Sequence, residues 1–385
     1  MKRTLITTAF AVALTLGLAS CGSDNQPDNP GDDTVNAKDI DYTSANSKSW
    51  HNYMINVALL LSDDAQSLCD AWTVSYNGGE PFATTFKNHS KGAYQSALNC
   101  LEQIVDGCAD IANEVGTAKI GDPYNLYMAG RTEEALYAVE SWYSWHSRDD
   151  YTNNIRSIRN SYYGSLDGTV NTHSMSALIA EADPDLDACL KAAIQKAADD
   201  IQAIPQPFRN HINSSEANVA MESCASLEAL LSNDLKRALN SMSGNDEMLD
   251  AIVESYVDEV VVPTYRNLVS CNNALRDAVN RLARNPSDAA FESACDAWLE
   301  AREPWEKSEA FLFGPVDQLG LDPNMDSWPL DQNAIVQNLN TGSFDDLDWS
   351  DGDSDDVIEA AQNLRGFHTL EFLLFKDGQP RRIKE

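Results

Sequence analysis

Near its end the sequence places one histidine and one glutamate three residues apart, in Gly366-Phe367-His368-Thr369-Leu370-Glu371-Phe372-Leu373-Leu374-Phe375. In a helix this spacing puts both side chains on one face. Phe367, Leu370, Phe372, Leu373 and Leu374 surround the pair with apolar groups. A carboxylate and an imidazole there are costly to bury unless they bind each other or a cation. On spacing alone, two readings compete: a structural His–Glu hydrogen bond, and two ligands of a metal site. Gly366 weakens a helix by roughly 1 kcal/mol against alanine, so its place one turn before Leu370 points to the close approach of another backbone or of a ligand. The zinc-peptidase patterns H-E-x-x-H and H-x-x-E-H are not met, because the motif holds one histidine and Phe372 follows Glu371. Helical bundles do build metal sites from Glu and Glu-x-x-His ligands on several helices, so His368 and Glu371 need carboxylates from elsewhere.

Two segments could supply them. One runs from Trp298 to Pro315 and contains Arg302, Ser308 and Glu309, with Ala310-Phe311-Leu312 placing Glu309 near a buried helix end. The other, Ala135 to Trp145, sets Glu140 and Ser141 among apolar and aromatic neighbours. In both an aromatic residue stands three before an acid–hydroxyl pair, a faint sign of duplicated halves. The alternative for each glutamate is a surface position or an ion pair with an arginine such as Arg302.

The elements that must carry these residues read as helices. Leu186, Leu190, Ile194, Ala197, Ile201 and Ile204 recur at three and four residues. Similar stripes run through 50–71, 94–112, 133–145, 217–239, 248–282, 289–313 and 357–375, without the alternation and tight turns of hairpins. The expected fold class is all-α, with two packed helical bundles over residues 41–240 and 241–385. Residues 314–331 carry prolines and glycines that forbid a continuous helix, and a loop of that length often serves a site. Residues 345–356 hold seven aspartates in a spacing that fails the EF-hand pattern, so a solvated acidic turn is expected rather than a calcium loop.

Over the full 385 residues, Lys and Arg number 27 against 60 Asp and Glu, a net charge of −33. Such a balance argues against a nucleic-acid partner, which needs clustered basic residues. Residues 1–20 have a basic start, an apolar stretch and a small-residue cleavage site before Cys21, which reads as a lipoprotein signal with a lipid anchor at Cys21. Residues 21–40 read as a polar tether. Export would place the other seven cysteines in an oxidising compartment, yet they lack CxxC spacing and fall mostly on apolar positions, so buried thiols are expected.

Together, Gly366-x-His368-x-x-Glu371, the Trp298–Pro315 segment, Ser327-Trp328-Pro329-Leu330-Asp331 and Glu140-Ser141 resemble the imelysin-like proteins, a family that also carries the name of an insulin-cleaving metallopeptidase. The resemblance covers nearly all of the chain beyond the signal. It implies an all-helical pair of bundles, attached to the outer membrane or facing the periplasm and associated with iron uptake, with the site between the bundles. It also implies His368 and Glu371 as metal ligands, joined by Glu309 and Glu140, with Arg302, Ser308 and Ser141 beside them. In the family the Trp298–Pro315 and Gly366–Glu371 motifs come before the Glu140 segment; here they come after it, which reads as a circular permutation.

Three functions are compatible with these residues, ranked in this order. The first is a lipoprotein that binds iron or another divalent cation, or a ligand carrying it, and passes it to an uptake transporter; zinc and manganese suit the same ligands. The second is a metallopeptidase. The third is an adhesion or scaffold lipoprotein with a structural His–Glu contact.

Overall fold

The computed structural model describes residues 40–384 apart from 90, 243, 245 and 351; the signal, the anchor at Cys21 and nearly all of the tether lie outside the described residues. The long helices are α1 (Ser47–Thr73), α2 (Ala97–Glu114), α3 (Ser147–Tyr163), α4 (Pro184–Ala203), α5 (Ser215–Ala229), α6 (Asp246–Tyr256), α7 (Val262–Arg284) and α8 (Asp288–Glu306). Two short helices flank the glycine of the His–Glu motif, α9 (Leu321–Asp326) and α10 (Gly366–Leu374). A single hairpin of two-residue strands, β1 (Phe375–Lys376) and β2 (Gln379–Pro380), is the sheet content among the described residues. None of the described helices is long and apolar enough to cross a membrane.

Each long helix forms because its apolar residues fall on one stripe that another helix can cover. In α1 the buried set Trp50, Tyr53, Met54, Val57, Leu61, Leu68 and Trp72 advances mostly by three or four residues. Burying each such side chain contributes about 1.5–3 kcal/mol. Side-chain caps set several starts: Ser96, Asp183, Ser214 and Ser287 accept the backbone N–H three residues on.

Helix α7 packs along α1 and α8, and α10 closes this group against α1 and α8. A second group forms where α2 meets α3, α5 and α6, and where α4 meets α3 and α5. Helix α1 packs with the C-terminal helices and α6 with the N-terminal ones. Helix α6, the π-turn Val257–Val261 and α7 run on without a break, so the continuous helix passes from the second group into the first. Pro263, which lacks a backbone N–H, sits just past the π-turn, where the wider winding absorbs the missing hydrogen bond.

Three of the expected helices are shorter than their periodicity. The helix expected over 133–145 ends at Ala138, and Ser141 and Trp145 adopt positive φ angles of 51° and 61°. The one expected over 289–313 ends at Glu306 and resumes as a 3-10 turn, Glu309–Phe311. The third, 357–375, breaks at 363–365 and restarts as α10. In the acidic stretch, the described aspartates are exposed; Asp346 accepts from Asn338 at 2.9 and 3.1 Å, and Asp355 and Asp356 open the next helix. The seven cysteines among the described residues are unpaired, and Cys69, Cys100, Cys108, Cys224 and Cys295 are buried. The ends of the described chain meet: Thr43 bridges Lys384, and Arg381 donates to the Ile40 carbonyl at 2.8 Å.

Candidate metal centre

The site begins with Gly366. Its φ of +85° starts α10, and a Cβ there would lie 2.4 Å from the Met325 carbonyl oxygen. With no side chain in the way, the end of α9 lies directly against the start of α10. Two residues further along α10, His368 is fully buried, and Asp326 Oδ1 stands 3.2 Å from its Nε2. One turn later, Glu371 Oε2 is 3.0 Å from His368 Nδ1. An ionised carboxylate can only accept, so Nδ1 carries the proton and donates, leaving Nε2 directed at Asp326.

The broken segment after Ala138 completes the surroundings. Ser144 donates to Glu371 Oε1 from its backbone N–H (2.8 Å) and from its hydroxyl (2.7 Å). The same segment presents Glu140, whose Oε1 lies 3.6 Å from His368 Nε2. The Trp328 ring packs edge-on to the imidazole at 4.8 Å between centroids. A continuous helix through 145 would also put Glu140 and Ser144 on one face, but it would tie the Ser144 N–H to the Glu140 carbonyl; the turn at Ser141, with its positive φ, leaves that N–H to donate to Glu371.

Arg302, fully buried on α8, ties the acids together. Its guanidinium pairs with Asp326 Oδ1, with Glu306 Oε1 at 2.5 Å and with Asp150 Oδ2 at 3.3 Å, and Nη2 is 3.4 Å from His368 Nε2. Trp305 Nε1 donates to the other Asp326 oxygen at 2.6 Å. Lys119, at the end of the π-turn Val115–Lys119, donates to both Glu140 oxygens at 3.2 and 3.0 Å. Among these groups, six carboxylates (Glu140, Asp150, Glu306, Glu309, Asp326, Glu371) face three bases (Lys119, Arg302, His368). Buried charge of one sign in excess calls for protons or a further cation.

The electrostatics divide the acids into two kinds. Burial alone would raise Glu140, but the Lys119 ammonium and the His368 bond outweigh it and hold the carboxyl down at about 2. Burial likewise opposes ionisation of Asp326, and Arg302 and His368 overcome it to keep that group well below the usual carboxylate range. Burial and Arg302 would lower His368, yet Asp326 and Glu140 hold it well above its ordinary value. By contrast, burial pushes Glu306 up to about 8 against the pull of Arg302, and raises Glu309 well above normal despite Lys119. The first set stays charged, and the second is poised to hold protons.

The structure thus brings His368 and Glu140 together with Asp326, their ligand atoms all within 4.8 Å of one another. Glu371 stands behind the imidazole and orients it. Glu309 groups instead with Glu306 and Asp326, also within 4.8 Å. Ser141 donates to Asp150 Oδ2 at 2.5 Å, and Ser308 donates to the Trp305 carbonyl at 2.7 Å, so neither hydroxyl reaches the imidazole. Sequence reasoning passed over Asp326, Glu306, Asp150 and Lys119. Asp326 immediately precedes the Ser327-Trp328-Pro329 segment and Glu306 comes directly after Trp305, so both lay inside or beside recognised motifs. Nothing in the pattern around Lys119 announced it. A cleft of about 880 Å³ lined by Glu114, Lys119, Tyr137, Glu140, Trp328 and Asp331 reaches this centre.

The family described as Imelysin matches residues 27–233 and 261–385. The crystal structure of an imelysin peptidase from Bacteroides ovatus superposes with a TM-score of 0.89 and 66% identity, over 90% of this chain and all of that one. The iron-regulated protein A of Synechococcus elongatus is 34% identical over 128 residues, 33% of this chain. The match spans about a third (32%) of that relative's own length.

Proposed function

Because this chain belongs to the imelysin family, we propose that it binds a divalent metal ion at His368, Asp326 and Glu140, with iron the foremost cargo, and delivers it to an uptake transporter. The observation that carries this is the imidazole itself: Nδ1 is bound by Glu371, which Ser144 holds in turn, while Nε2 faces two carboxylates that remain charged. A histidine whose far nitrogen is fixed by a carboxylate is the usual arrangement behind a metal-binding imidazole. One nitrogen and several oxygens suit iron, and equally zinc or manganese; the name of the iron-regulated relative favours iron. Glu309 and Glu306 would supply further oxygens, and Arg302 the counter-charge that keeps Asp326 ionised. The lipid anchor at Cys21, outer-membrane attachment with the protein facing the periplasm or the exterior, and the permuted motif order belong to the same reading; the meeting of the described ends supports the last.

Metal content of the purified protein tests the site. About one ion per chain is expected, and His368→Ala should weaken binding by roughly 100-fold or more, beyond the usual cost of a change behind the ligands. Undiminished metal content in His368→Ala would overturn the assignment. Ser144→Ala removes one of the two bonds to Glu371 and is expected to weaken affinity about tenfold, read by titration with Mn(II). An unchanged affinity would mean that the backbone N–H alone orients the glutamate.

The metallopeptidase reading draws on the name of the Bacteroides ovatus relative. It needs a general base, and Glu371 is engaged by both Ser144 and His368. Metal-loaded protein that cleaves unfolded peptides, with the cleavage lost in His368→Ala, would establish it.

A further inference from the structure

The metal centre leaves open the form in which the ion arrives, and the cleft leading to it bears on that. Its walls carry Glu114, Asp122, Glu133, Asp331 and Glu140. The two bases that line it are already engaged: Arg131 pairs with Glu134 at the rim, and Lys119 pairs with Glu140 and lies 3.7 Å from Glu114. Tyr137 and Trp328 add ring surfaces that attract cations. At its floor the Lys119 ammonium is itself a cation seated on Glu140, and it shares Oε1 of that residue with His368.

We propose that the cleft admits the metal as a bare hydrated cation and rejects it as an anionic chelate, so that any chelator is stripped before entry. This rests on the metal-binding reading. A hydrated divalent ion is drawn down a negative funnel, which raises its local concentration and its association rate. A carboxylate or catecholate chelate of net negative charge meets the same walls with repulsion, and the cleft offers it no base free of a carboxylate partner. Like-charge walls are how a site discriminates against a competitor that would otherwise fit. At the floor the arriving ion takes Glu140 Oε1, and the Lys119 ammonium keeps Oε2 of that carboxylate, 3.0 Å away.

The test uses the full chain with manganous chloride and with ferric citrate, tracking association by stopped flow and retained citrate by mass spectrometry. Free Mn(II) should bind, and no citrate should remain with the protein. Glu114→Gln combined with Asp122→Asn, both away from the ligands, should slow Mn(II) association about tenfold and flatten its dependence on salt. Dissociation should be unchanged. Citrate retained in equal amount with iron, or association unaffected by the double substitution, would overturn the proposal while leaving the metal site standing. Failure to bind metal from either source would overturn the metal reading itself.

Discussion

Arg302→Ala is expected to destabilise the protein by about 3–5 kcal/mol, the cost of removing one partner from a buried charge network. The guanidinium is fully buried and serves Asp326, Glu306 and Asp150 at once. Alanine would leave Asp326 without its main counter-charge, beside Asp150 and a Glu306 poised to hold a proton. The loss depends on pH, with a definite sign. In the natural protein Asp326 is held below its unfolded value, so its stabilising share is present above the unfolded pKa and disappears as pH falls through the folded one. In the variant the part of that share due to Arg302 is gone, so the gap between the two proteins is widest near neutral pH and narrows on acidification below about 4. Urea unfolding at pH 7 and at about pH 2.5, well below the unfolded carboxylate value, checks both statements. A neutral-pH difference under about 1 kcal/mol would mean that the acids already carry protons. Arg302→Lys keeps one charge but cannot reach three acceptors, and should fall between the two.

Gly366→Ala is the second large effect, about 2–4 kcal/mol from positive-φ strain together with forced separation of packed backbone. A methyl group 2.4 Å from the Met325 carbonyl oxygen cannot be accommodated by a side-chain rotation, because the obstacle is main chain. The start of α10 must move from the end of α9, and Asp326 moves with it. The variant should therefore lose metal affinity as well as stability, and the two losses can be separated. A compensating stabilising substitution far from the site would restore the melting temperature without restoring the affinity. Recovery of both together would show that Gly366 acts on stability alone.

The apolar stripes made the all-helical class legible, because a repeat of three and four residues has one physical meaning. The helix ends were harder to read. Val139 to Trp145 keeps an apolar pattern that fits a helix, yet the chain turns at Ser141, which leaves the Ser144 N–H to donate to Glu371. Tertiary contacts, not local preference, decide that turn. The pair His368 and Glu371 was legible as chemistry, but spacing on one face does not reveal that one faces the acids and the other stands behind. Asp326 was hidden for a related reason: its approach to His368 depends on Gly366, and a glycine in a sequence does not say which backbone it admits.

The burial of the cysteines sets an order of events. Attack on another sulfur requires thiolate, and burial holds Cys100, Cys108 and Cys224 up at about 12. At pH 7 that leaves roughly one such thiol in 10⁵ ionised, against a few per cent for an ordinary cysteine. In the native state these sulfurs are therefore kinetically silent whatever the redox potential around them. Their vulnerable interval is the time the chain spends unfolded, so in oxidising surroundings the yield of native protein becomes a race between collapse and cross-linking.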